Sequence, residues 1–205
     1  MFALIENQQI TKHLSGNKGI TLGDIQYPRS IFTLWSESER NAIGVYTVEI
    51  DNTNFKSQEW YYNTNITYAF GSGKVTGSYG TATAKAHADT LWTEQDKTDG
   101  LISPEKDVGD VKVEGLKTKL IREVKKQAES ILNQTDWYIT RKAEKSTAIP
   151  SAITTHRDAV RTKQASMCTA ITNASDTPAL ETLYTYTTQD DGTVTRPLGE
   201  LPTLE

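Results

Sequence analysis

Apolar positions follow one rhythm early in the chain and another late, and that change is the first structural signal. Phe2 to Ile5 and Ile10 to Leu14 are short apolar-bearing runs on either side of Glu6-Asn7-Gln8-Gln9, a spacing that predicts a hairpin. Beyond Gly16 and Gly19, Ile25-Gln26-Tyr27-Pro28 predicts an edge strand or extended arm, because Pro28 has no N–H to give a central ladder. Ser36-Glu37-Ser38-Glu39 has capping-box spacing, in which a hydroxyl and a carboxylate satisfy each other's backbone N–H groups. It predicts a brief helix that Gly44 stops. Val45 to Ile50, β-branched or aromatic almost throughout, is the best strand in the sequence. Residues 58 to 83 continue the β character, with Trp60, Tyr61, Tyr62, Tyr68, Phe70 and Tyr79 set among Thr, Asn and Gly.

From His87 to Gly115 the apolar signal fades into Asp, Glu, Lys, Gly and Pro104. A helical period then begins: Leu116, Leu120, Val124, Ala128 and Leu132 form one stripe, flanked by Lys117, Lys119, Arg122, Lys125 and Lys126. After a break at Asn133-Gln134-Thr135-Asp136, a second helix opens at Pro150, whose missing N–H is not needed in a first turn, with Ile153, Val160, Met167 and Ile171 on one side. Asp176-Thr177-Pro178 opens a last short helix bearing Leu180 and Leu183. These patterns predict an α+β chain: a β-rich domain over 1–85, a linker or long loop over 86–112, a helical hairpin over 113–186 and an extended tail over 187–205.

Composition adjusts this picture. Apolar residues make up only 36% of the chain and mean hydropathy is −0.54, so many faces are wet or covered by partner chains, which predicts a homo-oligomer or a larger assembly. The net charge of −4 is unevenly spread: 9 basic and 14 acidic side chains over 1–111, 12 and 6 over 112–163, and 1 and 6 over 164–205. The basic residues of the middle segment alternate with apolar ones at helical spacing, as on a solvated helix face, and nucleic acid is a disfavoured partner. Cys168 is the one cysteine, which excludes an intramolecular disulfide framework. The first residues reach Glu6 without a basic n-region, and no run approaches the ~18 apolar residues of a membrane span, so the expectation is a soluble protein made in a cytoplasm. Sequons at Asn65, Asn133 and Asn173 are then chance matches.

Chemical motifs are few. Gly71-Ser72-Gly73-Lys74 suggests a phosphate loop, but Tyr68 and Val75 stand where the motif needs glycine and a hydroxyl residue. His156-Arg157-Asp158 mimics a kinase triplet, yet Lys163 replaces the magnesium-binding asparagine. His13, His87 and His156 have no metal-ligand spacing, Cys168 beside Met167 reads as a structural thiol, and Asp96, Asp99 and Gly100 read as a solvated loop. No catalytic, cofactor or metal site is predicted. The aromatic run around Trp60 is expected to pack across strands or against a neighbouring subunit, with a sugar-binding surface as the rival reading.

Two stretches resemble tail proteins of tailed bacteriophages, especially those of marine cyanophages and similar viruses. Ile5-Glu6-Asn7, Tyr27-Pro28, Leu34-Trp35, Glu39 and Gly44-Val45-Tyr46-Thr47-Val48 are similar to the start of tail-fibre-associated and tail-assembly proteins. Leu132, Thr135-Asp136-Trp137 and the pair Arg157 and Arg161, within 113–175, resemble the C-terminal module of phage tail assembly chaperone-like proteins. That module has a helix ending in Leu, then Thr-Asp-Trp, then a helix with two arginines four apart. It usually carries prolines after the arginine helix, whereas here Ile149-Pro150 comes before it.

The resemblance implies a non-catalytic structural or interaction component of a phage tail (fibre, baseplate, tail-tip or adaptor protein), made in the host cytoplasm, located in the virion and partnered by other tail proteins. A transient tail or tail-fibre assembly chaperone and a small glycan-binding protein, with a host-surface glycan as partner, are the alternatives. The residues alone predict that Asp136 reaches one of the two arginines while Trp137 covers the seam of the hairpin, or else two exposed arginines and a capping aspartate. The candidate interaction and structural residues are Trp35, Trp60, Tyr61, Tyr62, Asp136, Trp137, Arg157 and Arg161.

Overall fold

The computed structural model describes residues 1–204, in two units that meet between Thr83 and Ala84. The first unit is β-rich and the second is dominated by helices, so the chain is α+β.

In the first unit, β1 (Phe2–Glu6) and β2 (Gln9–Leu14) form the expected hairpin. Its turn places Asn7 and Gln8 at φ 52° and 64°, the left-handed pair that brings two twisted strands together. The pairing is not regular. Leu4 faces Lys12 but Ile5 faces Ile10, so Thr11 is an extra residue on β2. This bulge reverses the alternation: Ile10 packs on one side of the sheet and Leu14 on the other, although both sit at even positions.

A second small hairpin follows, β3 (Ile20–Leu22) with β4 (Ile25–Tyr27), the latter at the predicted edge. Then come α1 (Ile31–Leu34) and α2 (Glu37–Ala42). The Ser36 capping box is present in full, and Gly44 takes φ 77° where the helix ends. Next are β5 (Val45–Asp51), β6 (Tyr61–Tyr62), β7 (Ile66–Gly71), β8 (Lys74–Tyr79) and β9 (Thr83–Ala84). β6 pairs with β9, and the main sheet runs β2-β1-β5-β8-β7, antiparallel except for the β5–β8 pair. Its outer strands curl toward each other, with the His13 and Tyr68 rings 4.5 Å apart, and the sheet becomes a half-barrel.

Each face of this sheet has its own core. Leu4, Leu14, Ile31, Phe32 and Val45 pack on the side covered by the short helices, joined by Phe2, Ile20, Leu22, Tyr27, Trp35 and Ile43. Ala3, Val48 and Val75 pack on the concave side with Ile5, Ile10, Tyr46, Tyr68 and Phe70. Gly77 makes room there, since a Cβ would lie 2.8 Å from the Tyr68 ring and 3.0 Å from both Ile50 and Ile66.

In the second unit, residues 86–112, expected as a linker or long loop, contain β10 (Thr90–Leu91), α3 (Glu94–Thr98) and β11 (Val111–Val113) among their turns. Asp96 belongs to α3 and Asp99 is its C-cap, while Thr93 and Asp96 cap its start reciprocally, so the segment is not a plain solvated loop. The helical stripe beyond forms α4 (Leu116–Asn133), with Leu116, Val124 and Ala128 buried. Gly115, its N-cap, has no side chain to offer, and a Cβ would lie 2.3 Å from the Ala88 carbonyl. The cap comes from elsewhere in the chain: the Leu116 and Lys117 N–H groups donate to the Ala86 and His87 carbonyls, each at 2.9 Å, while Asp89 accepts from the Gly115 N–H at 2.6 Å and the Thr118 hydroxyl at 2.8 Å, bonds that hold its carboxyl below the usual range.

α5 (Asp136–Lys145) is an additional helix, formed where the sequence signalled only a break and a charged segment. α6 (Ser151–Asn173) buries Ile153, Val160, Met167 and Ile171 as predicted. It runs antiparallel to α4, since Lys117 Nζ donates to the Thr172 carbonyl at one end and Arg157 to the Leu132 carbonyl at the other. α7 (Thr177–Tyr184) starts at the Asp176 cap and buries Leu180. The tail is not simply extended: β12 (Thr187–Thr188) and β13 (Val194–Thr195) form a hairpin, and Leu198 is buried with its N–H on the Leu183 carbonyl.

Candidate interaction surface

The polar junction between α4, α5 and α6 is the best-defined constellation in the second unit. Arg157 lies on the buried stripe of α6, between Ile153 and Val160, and its side chain is 9% exposed. Its Nη1 donates to the Leu132 carbonyl at 2.8 Å and to the Thr135 hydroxyl at 2.7 Å, and pairs with Asp136 at 2.8 Å. Leu132 is at the C-terminal end of α4, where carbonyls lack helical partners, so a cation there meets both an orphan acceptor and the negative end of the helix. Thr135, at the N-cap position of α5 and 2% exposed, turns its hydroxyl back to donate to the same Leu132 carbonyl and gives α5 no side-chain cap. One guanidinium thus fixes the direction in which α5 leaves α4.

Of the two arginines in the module, only Arg157 takes this role. Arg161 is half exposed and pairs with Asp158 on its own helix at 3.1 Å. Trp137 does not cover the seam either. It is 52% exposed, because Asp136 at the start of α5 turns toward Arg157 and the next side chain projects away.

α5 itself buries no residue. Trp137 and Tyr138 have ring centroids 3.8 Å apart, and the Arg141 guanidinium lies 4.7 Å from the first and 5.4 Å from the second. Ile139 is 43% exposed beside them. Trp, Tyr and Arg dominate the binding energy of protein interfaces, and here all three are gathered on one short helix with a fixed base.

The remaining candidates are dispersed. Trp35 is half-buried in the first unit's core, its ring edge-on to Tyr27 at 5.9 Å and its carbonyl accepting from Arg40. Trp60 and Tyr61 are buried, whereas Tyr62 is exposed, so these three do not form one aromatic platform. Gly71 to Lys74 is the β7–β8 hairpin turn, with Ser72 and Gly73 at φ 52° and 73°, and not a phosphate loop. His156, Arg157 and Asp158 lie mid-helix on α6. Cys168 is half-buried, and Gln164 Nε2 donates to its Sγ at 3.6 Å. Among the described residues, no three His, Cys, Asp or Glu side chains converge, and no helix is long and apolar enough to cross a membrane. Compared with known protein families, with curated proteins and with solved structures, the chain matches none.

Proposed function

We propose that the chain is a non-catalytic interaction component of a bacteriophage tail, acting as a fibre, baseplate, tail-tip or adaptor protein and binding other tail proteins through α5. The observation that carries this reading is the exposed Trp137, stacked on half-buried Tyr138 and Arg141, on a helix with no fully buried residue and whose base Arg157 fixes. Exposed apolar side chains gathered in one place, here Trp137 and Ile139, mark a surface that a partner covers. The tail setting rests on the resemblance of residues 113–175 to tail assembly chaperone-like modules. Because that module belongs to chaperones, the second reading is a chaperone that binds tail or tail-fibre protein transiently. A photo-crosslinker at position 137, used in infected cells, tests the surface. Crosslinks to an identified tail protein are expected, and crosslinks confined to host proteins would remove the tail reading.

A further inference from the structure

Residues 12–22 bend around a cleft of about 550 Å³ in the first unit, within the size range of ligand sites. The end of β2 lines it from Lys12 to Leu14, continuing through Ser15 and Gly16, and β3 lines it from Ile20 to Leu22. Both are terminal strands: β2 is the last strand of its sheet, and β3 pairs only with β4. β3 therefore has one backbone edge carrying no strand, whereas the outer edge of β2 faces β7 across the half-barrel.

The chemistry of the lining is one-sided. Partly exposed Ile20 and Leu22 supply apolar surface above the core residues Leu4 and Leu14, while Lys12 and Lys18 supply positive charge, and no carboxylate lines the cleft. Between Glu6 and Asp24 the sequence has no acidic residue at all. The cleft is also firmly built. A Cβ on Gly19 would lie 2.6 Å from the Tyr27 carbonyl, and one on Gly16, at φ 73°, would lie 2.8 Å from the Phe2 ring, so the loop lies hard against its own hairpin and core.

We propose that this cleft binds an extended acidic peptide segment of a partner protein, one in which aliphatic and carboxylate side chains alternate. An extended chain sends successive side chains to opposite faces, so its aliphatic residues meet Ile20 and Leu22 while its carboxylates reach Lys12 and Lys18 at the exposed rim. Its backbone adds to a free strand edge, the mode by which sheet edges capture peptides. This site lies in the first unit and does not depend on the tail reading.

The test uses the full-length protein and a short fluorescent peptide alternating glutamate with valine, beside its lysine counterpart. The glutamate peptide is expected to bind, to shift the backbone amides of residues 12 to 22 in NMR spectra, and to weaken with added salt. The double variant Lys12→Glu/Lys18→Glu changes two exposed side chains, keeps the wild-type circular dichroism, and loses about tenfold in affinity, equivalent to ~1.4 kcal/mol. Equal binding of both peptides, undiminished binding by the double variant, or no binding would overturn the proposal. Glutarate binding as tightly as the peptide would also overturn it, leaving a small-anion site.

Discussion

Arg157 Nη1 lies 2.8 Å from Asp136 and also bonds the Leu132 carbonyl and the Thr135 hydroxyl, so the two partners of this ion pair are unequal. The arginine is buried and serves three acceptors, whereas the aspartate is 53% exposed and keeps water as an alternative. Arg157→Ala strands Thr135 and the last turn of α4 and is expected to cost about 3 kcal/mol. Asp136→Asn removes one screened charge and is expected to cost about 0–1 kcal/mol. Urea denaturation of both variants checks the asymmetry, and equal losses would contradict the described junction.

Trp137→Ala follows from the same geometry. With half its surface in water, the indole contributes little to folding, and the variant is expected to lose under about 1 kcal/mol in the same experiment. The sequence alone predicted a seam-covering tryptophan, whose loss would have been far larger. A urea midpoint that collapses on this substitution would place the ring back in the core and remove α5 as a docking surface.

The half-barrel yields a packing prediction. At Gly77 an added methyl group meets Tyr68 on one neighbouring strand and Ile50 on the other, with ring and aliphatic atoms at 2.8 and 3.0 Å. Gly77→Ala is therefore expected to destabilise the first unit by about 1–3 kcal/mol through overpacking. A neutral variant, read by calorimetry, would mean that the concave face has slack.

Asp96 gives the pH dependence. Hydrogen bonds from Lys112 first, and then from Thr93, hold its carboxyl down at about 2 against an ordinary 3.8. Between those values the unfolded chain binds a proton that the folded chain refuses, so stability falls as pH falls through that window and is fully present above it. Asp96→Asn is expected to flatten this part of the stability curve for α3 and the β10–β11 ladder, read by amide exchange. An unchanged curve would mean that the Lys112 contact is not kept in solution.

Most of the architecture was legible because it rests on local signals. The capping box at Ser36, the α4 stripe and the α6 stripe each declare themselves within a few residues. What was hidden depends on distant groups. The β2 bulge moves Ile10 and Leu14 to opposite faces only because of how β1 pairs, and the start of α4 is capped by Ala86, His87 and Asp89, far upstream of Gly115. Arg157 was readable in part, since it falls on the apolar stripe of α6 whereas Arg161 does not, and that alone separates the buried arginine from the exposed one. The exposure of Trp137 was not readable, because it depends on α5 forming where composition suggested a charged break.

The proposed role as a tail component requires the chain to stay in the particle. A virion protein is held by interfaces of standard size or larger, whose slow dissociation survives purification, whereas a chaperone has to release its client. Quantitative mass spectrometry of gradient-purified particles, compared with whole infected-cell lysate, tests this most directly. The account predicts the chain in particles at a fixed ratio to a known tail protein, and finding it only in the lysate would contradict the structural reading in favour of the transient chaperone.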